Sequence, residues 1–258
     1  LNKTKIMRNK IALITGGSRG LGKNMALSLA KNGVDILITY NSKEDEANKV
    51  VAEIESLGRR AASLQLNTGE VKGFDRFIQT VKEMLQSKFN AEGFDFLINN
   101  AGIGIHAPFM QTTEAQFDEL LNIHLKGTFF LTQKALALMP DGSRIVNLSS
   151  GLARFSNPGY AAYGSLKAAL ETLTRYMAKE LGPRRISVNI VAPGAIETDF
   201  GGGVVRDNSQ LNSVIAGLTA LGRVGVPDDI GGVVAFLCSP DARWINGQRI
   251  EVSGGINL

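Results

Sequence analysis

The sequence predicts an α/β fold, a doubly wound sheet of seven mainly parallel strands with helices on both faces. Short apolar runs rich in β-branched residues alternate with stretches of helical periodicity along the chain. The 29 glycines follow no fixed period and suit a chain with many tight strand-to-helix turns, where glycine reaches backbone angles that other residues avoid.

The elements follow in order. A strand at 10–15 (KIALIT) leads into a helix over 21–32, and a second strand at 34–40 (VDILITY) leads into a charged helix over 43–57. On that second helix Val50, Val51, Ile54 and Leu57 form one apolar stripe. Further strands are expected at 62–66, 94–98, 144–148, 187–191 and 249–252, with helices over 73–89, 113–138, 161–181 and 228–238. Parallel neighbours need long crossovers, and helical crossovers cover both faces of the sheet. No composition break marks a second domain, so 1–258 reads as one domain. The least regular stretch, 197–217, contains Gly201-Gly202-Gly203 and then Asn208, Ser209 and Asn212. It is expected to be a substrate lid or an inert surface excursion.

Composition narrows the function classes. With 44% hydrophobic and 20% charged residues, the chain can bury a substantial core. The formal charge of +4 traces to Lys3, Lys5, Arg8 and Lys10, so residues 1–9 read as a solvated basic leader and no nucleic-acid partner is expected. Cys238 is the single cysteine, which precludes an intramolecular disulfide; its apolar surroundings point to a buried thiol in a reducing, cytoplasmic compartment. No apolar run approaches the roughly 18 residues of a membrane span, and no segment near Leu1 resembles a signal peptide. A soluble protein with no membrane partner and no metal site is expected.

The first strand runs into Thr15-Gly16-Gly17-Ser18-Arg19-Gly20-Leu21-Gly22 and then a helix. Small residues let that turn approach a pyrophosphate, whose charge is favoured by the free N–H groups of the helix start. A lone glycine cluster is only a turn; strand before and helix after make it a nucleotide site. An acid at the end of the second strand would bind both ribose hydroxyls of NAD, but the chain reads Tyr40-Asn41-Ser42 there. With no acid at Tyr40 and with Arg19 able to pair with a 2′-phosphate, NADP(H) is favoured over NAD(H).

Tyr163 and Lys167 are four residues apart in a helical segment, YGSLKAALETL, and so share one face. A phenol ionises near pKa ~10, and an adjacent ammonium that favours phenolate eases proton exchange near neutrality. Alone, this spacing arises readily by chance. Ser149 and Ser150 follow the strand RIVNL, at the carboxyl edge where open α/β sheets bind ligands, and either hydroxyl can donate to a substrate oxygen.

Together these residues, with Asn99-Asn100-Ala101-Gly102 and Pro193-Gly194 in order and spacing, resemble the short-chain dehydrogenase/reductase family over nearly the whole chain. The resemblance implies a Rossmann-type doubly wound sheet. It makes Tyr163 the acid/base, Ser150 the substrate-oxygen donor and Lys167 the group that binds ribose and shifts the tyrosine's titration. It also selects Ser150, thirteen residues before Tyr163, over Ser149. Cofactor contacts are implied at Gly16, Ser18, Arg19, Gly20, Leu21 and Gly22, and again at Tyr40, Asn41 and Ser42. Asn67, Thr68, Asn100, Ala101 and Gly102 are implied to line the cofactor, and Pro193, Gly194, Ile196 and Thr198 to lie by the nicotinamide carboxamide.

Two positions depart from the family pattern. Asn67 stands where an aspartate usually contacts adenine, and its side-chain oxygen still accepts from an amino group. His124, in NIHLKGTF, replaces the asparagine that helps hold a water linking the lysine to solvent. Either the backbone carbonyl keeps that relay, or the imidazole supplies another proton path, or the histidine is structural.

The expected reaction is reversible reduction of a small ketone or aldehyde, with Tyr163 donating the proton and NADPH the hydride. The alternative is a 3-oxoacyl-carrier-protein reductase, the members of closest general appearance. Docking an acidic carrier calls for a basic patch around positions 141 and 184, and of Asp141 and Arg184 only the arginine fits. A non-catalytic NADP(H) sensor is the alternative of another class. The family's habit implies a homotetramer or homodimer through the helices at 113–138 and 161–181, although their apolar residues equally suit a monomer core.

Overall fold

A computed structural model describes residues 9–258; the basic leader, apart from Asn9, lies outside the described residues. Seven strands form at Ile11–Ile14 (β1), Asp35–Tyr40 (β2), Ala61–Gln65 (β3), Phe96–Asn99 (β4), Arg144–Leu148 (β5), Ser187–Pro193 (β6) and Arg249–Val252 (β7). They make one sheet in the order β3-β2-β1-β4-β5-β6-β7. Every pairing is parallel, in registers such as Leu13↔Leu37 and Leu13↔Leu97. The order reverses beside β1, and the two chain directions leaving β1 and β4 open a crevice at their carboxyl ends, where ligands of such sheets bind.

Alternation along the strands splits the core in two. Ala12, Ile14, Ile36 and Ile38 face Met25, Leu29, Val50, Ile54, Ile230 and Val234. These come from helices α1 (Gly20–Lys31), α2 (Glu44–Ser56) and, completing that layer, Asp228–Cys238. Ile11, Leu13, Leu37 and Leu97 face the opposite way, onto Phe74, Val81 and Leu85 of α3 (Phe74–Phe89) and onto Leu131. Because both faces of the sheet are covered by helices, the central strands are apolar on both sides, as in IALI of β1.

The helix expected over 113–138 is not continuous. It is built as α4 (Glu114–Leu121), a π-helical segment Asn122–Gly127, α5 (Thr128–Ala135) and a tight turn at Leu136–Leu138. Thr113 and Gln116 form a capping box at its start. The break has a tertiary cause: a methyl group at Gly127 would lie 2.1 Å from the Thr68 carbonyl oxygen, so the helix bulges where it passes the loop after β3. π-Bulges of this kind concentrate at functional sites.

The next helix, α6 (Ala161–Glu180), is fixed to the sheet by a buried polar ladder. Asn99 and Asn147 are register partners; Asn99 donates to Asn147 (2.8 Å) and Thr132 (3.0 Å), and Asn147 donates to Thr174 (2.8 Å). The stretch at 197–217, read from sequence as irregular, contains a turn at Phe200–Gly203 and helices α7 (Val204–Asp207) and α8 (Ser209–Gly217). The last helix, Asp228–Cys238, is α9. Cys238 is buried within it, and burial pushes its thiol up to about 12, which leaves it unreactive. Among the described residues no helix is long and apolar enough to cross a membrane, and no cluster of side chains suits a metal ion.

Candidate active site

The glycine loop and the loop after β4 are locked together. The Thr15 hydroxyl accepts from the backbone N–H groups of Asn100 and Ala101, both at 2.9 Å, while the Asn100 amide donates to the carbonyls of Thr15 (2.8 Å) and Gly16 (3.0 Å). Asn100 therefore spends its amide on the scaffold. A methyl group at Gly22 would lie 2.1 Å from the Gly16 carbonyl oxygen, so α1 starts pressed against the loop, as close as backbone allows. Arg19 at the N-cap is extended and makes no side-chain cap, and no acid occupies the first turn. The first amides of α1 thus present the positive end of the helix to the crevice. This cradle fits a dinucleotide pyrophosphate.

The outer part of the crevice is more exposed. The Arg19 guanidinium lies 3.7 Å from Asp199 of the loop after β6, with both side chains about half exposed. Tyr40 is buried and bonded to the Glu44 carboxylate, and burial followed by Glu44 raises its phenol above the ordinary range. Asn41 and Ser42 are exposed, as is Lys43 beside them. Sequence reading weighed Tyr40, Asn41, Ser42 and Arg19 but gave no role to the Lys43 cation or to the Glu44 anion, the first charges after the strand. The Asn67 side-chain oxygen accepts from the Gly69 N–H at 3.0 Å, closing its own turn, and retains a second lone pair. Across the crevice, Gly194 donates to Val252 (3.0 Å), Ile196 and Thr198 are buried, and a methyl at Gly20 would sit 3.7 Å from the Thr198 side chain.

At the carboxyl edge of β5 the structure brings Ser150, Tyr163, Lys167 and His124 together. Tyr163 and Lys167 lie one turn apart in α6 and are 6% and 5% exposed, so both polar ends sit out of water. Burial pushes the Tyr163 phenol above its usual range, opposed by a hydrogen bond with Ser150. Burial pushes the Lys167 ammonium down to about 7. Its Nζ donates to the Leu148 carbonyl at 2.8 Å and stands 5.6 Å from the centre of the Tyr163 ring. Ser149 and Ser150 are now distinct: Ser149 is buried and donates to Glu171 at 2.6 Å, while Ser150 is extended and meets Tyr163.

His124 sits in the π-helical segment, edge-on to Tyr163, with ring centres 5.3 Å apart and planes at 89°. Its Nε2 donates to the Ile103 carbonyl at 2.8 Å, and its ring fills the space beside Gly102, where a methyl would lie 2.6 Å from Cε1. Burial, then the charge of Lys167, push the imidazole down to about 3, against the carbonyl bond that raises it. Burial and Lys167 thus favour the neutral ring near neutrality.

Three further rings border Tyr163. Tyr160 is 6.5 Å away centre to centre, Phe200 5.8 Å, and His106 packs edge-on against Tyr160 at 5.0 Å. Gly104 and Gly159 admit these rings: a methyl at either would fall within 3 Å of Phe200 or His106 respectively. Sequence reading took in Phe200 within the 197–217 stretch but missed Tyr160, whose i−3 spacing from Tyr163 was the available signal.

The fold and this edge constellation define a dinucleotide-binding α/β protein with a hydroxyl and ammonium site at its switch point. A family model described as enoyl-(acyl carrier protein) reductase matches residues 16–257. A hydroxynaphthalene reductase-like protein, Arp2 of Metarhizium brunneum, is 38% identical over 260 residues, covering 96% of this chain and 95% of that one. The structure of LugOII, a promiscuous reductase for keto-reduction at C1 during lugdunomycin biosynthesis, matches with a TM-score of 0.92 at 37% identity, over 97% of this chain and 99% of that one. The landomycin C-6 ketoreductase LanV, with bound NADP and rabelomycin, matches at 0.88 and 38%, over 97% of both chains. The chain belongs to the short-chain dehydrogenase/reductase family.

The burial of His124 has a consequence for acid stability. Its folded pKa of about 3 lies below the ordinary 6.5, so the unfolded chain binds the extra proton between those values, and stability falls as pH drops through that window. His124→Asn is expected to flatten the loss between pH 6.5 and 3 in acid-unfolding curves. An unchanged slope would contradict the buried neutral ring.

Proposed function

We propose that the chain is an NADP(H)-dependent oxidoreductase that reversibly reduces a ketone or aldehyde to an alcohol. The observation that carries this reading is the hydrogen-bonded Ser150–Tyr163 pair beside Lys167, across the crevice from the glycine cradle. Ser150 and Tyr163 hold the substrate oxygen between two hydroxyl donors. Burial keeps Tyr163 protonated, so it acts as the proton donor in reduction, and Lys167 beside it favours the phenolate left behind. NADPH, when bound, supplies the hydride to the carbonyl carbon. Lys167 uses one N–H on Leu148 and keeps others for the ribose hydroxyls.

His124 enters this scheme as a neutral ring that fixes the segment at Ile103. In this reading the relay behind Lys167 runs through a water held by a backbone carbonyl of the π-helical segment, whose acceptors are displaced from α-helical partners.

The substrate class that suits the site is a planar aromatic ketone. Tyr160, Phe200 and His106 offer ring faces and edges next to Tyr163. The relatives named for hydroxynaphthalene and for a ketoreductase holding rabelomycin support this choice. The carrier-protein alternative loses its one basic anchor, because Arg184 is held by Asp141 at 3.0 Å and by the carbonyls of Leu136 and Met139.

Residues 197–217 serve as the substrate lid in this reading: Phe200 reaches Tyr163, and Asp199 links Arg19 to Arg206. A homo-oligomer is supported by the exposed rings of Phe117 and Phe129 on α4 and α5 and of Tyr176 on α6. NADP(H) preference rests on Arg19 and Lys43 at the open end of the crevice, and NADP in the LanV structure supports it.

Tyr163→Phe is expected to lower carbonyl reduction by about 10²- to 10⁴-fold while NADPH affinity, followed by fluorescence titration, stays within a few fold. Undiminished turnover would remove Tyr163 from the chemistry. Wild-type kcat/KM is expected to favour NADPH over NADH by at least about tenfold, and Arg19→Ala to erase most of that ratio. A preference for NADH would contradict the role given to Arg19.

A further inference from the structure

Ser150 lies inside a closed circuit of charges that the reaction scheme does not use. Ser149, just before it, donates to Glu171 of α6 at 2.6 Å. Glu171 accepts from Arg249 of β7 at 2.7 Å, and Arg249 donates on to Glu251 at 2.7 Å. Glu251 receives a two-pronged bond from Arg154 at 2.7 and 2.8 Å, plus the Ser253 hydroxyl at 2.8 Å. Arg154 follows the short turn Gly151–Ala153 that begins at Ser150, and also grips the carbonyls of Ile256 and Asn257. Both ends of the five-residue step from Ser149 to Arg154 are therefore tied into one network. Its inner members, Glu171, Glu251 and Arg249, have side chains 13%, 21% and 22% exposed.

Glu171 is one helical turn beyond Lys167 and two beyond Tyr163. The same carboxylate that takes the Ser149 hydroxyl thus rides on the helix that carries Tyr163 and Lys167. Ion pairs this far out of water return little net stability, because desolvation offsets their attraction. A bidentate arginine–carboxylate bond does fix direction and distance, which is what a two-hydroxyl clamp on one oxygen requires.

We propose that Glu171, Arg249, Glu251 and Arg154 are positioning residues whose closed circuit holds Ser150 in register with Tyr163. The proposal rests on the reading of Ser150 and Tyr163 as the oxygen-binding pair. None of the four touches the reacting atoms; they act through the Ser149–Arg154 backbone.

A double-mutant cycle tests this on the full chain, with NADPH and an aromatic ketone. Arg154→Ala opens the circuit at its most exposed link, and is expected to cut kcat by about tenfold or more, with NADPH affinity and KM changed little. In a Ser150→Ala background the same substitution is expected to change kcat less than about threefold, since there is no hydroxyl left to position. Glu171→Gln, nearly isosteric, provides the second variant and is expected to show the same collapse of its effect. Arg154→Lys, which keeps the charge without the two-pronged bond, should recover only part of the rate. An equal fold loss with and without Ser150, or no loss with it, overturns the proposal while leaving the Ser150 assignment standing. Full turnover by Ser150→Ala alone overturns that assignment, and the proposal with it.

Discussion

Withdrawal of Tyr163 and Lys167 from water is the constraint on which the rest of the site depends. A phenol and an ammonium at the end of a solvated helix would titrate as they do in peptides and do no useful chemistry. Here α6 sets them against β5, where burial holds the phenol protonated and brings the ammonium to about 7. Two groups whose ordinary pKa values lie close together are driven apart, one towards donor and one towards exchange, which is the arrangement an acid/base pair needs. The surroundings then have to replace the lost hydration. Leu148 supplies a carbonyl for Lys167 and Ser150 a hydroxyl for Tyr163, both from the single segment that leaves β5.

That dependence explains how much of the scaffold is polar beneath an apolar sheet. The Asn99–Asn147–Thr174 ladder ties β4, β5 and α6 together directly under the site. Thr15 and Asn100 clamp the glycine loop to the loop after β4, so the cofactor cradle and the proton donors share one rigid edge. Gly201, Gly202 and Gly203 all take positive φ values, of 62°, 78° and 77°, and give the stretch after β6 a backbone that no side chain would favour.

The sequence foretold the parallel sheet, the glycine cradle and the Tyr163–Lys167 turn because each is a local pattern: a period, a spacing or a strand followed by a helix. It was silent where partners are remote in the chain. The π-helical break arises because Gly127 meets the Thr68 carbonyl, so periodicity within 113–138 reads as one helix. The strand pattern leaves Ser149 and Ser150 equivalent; the family resemblance picks Ser150 by its step to Tyr163, and Glu171, which takes the Ser149 hydroxyl, supplies the physical reason. The arginines and glutamates around Ser150 bridge 78 and 97 residues, and each reads in isolation as a solvated surface charge. His124 was visible as a departure, but its neutral state follows from burial and from Ile103.

The central claim is that Tyr163, Ser150 and Lys167 deliver NADPH-dependent reduction of a carbonyl flanked by aromatic rings. The most direct measurement is NADPH oxidation by the purified protein across bicyclic aromatic ketones, simple aliphatic ketones, 3-oxoacyl thioesters and enoyl thioesters, with the products identified. The account predicts the highest kcat/KM for the aromatic ketones, each giving the corresponding alcohol. Turnover confined to enoyl thioesters, with the carbon–carbon double bond reduced, would contradict it.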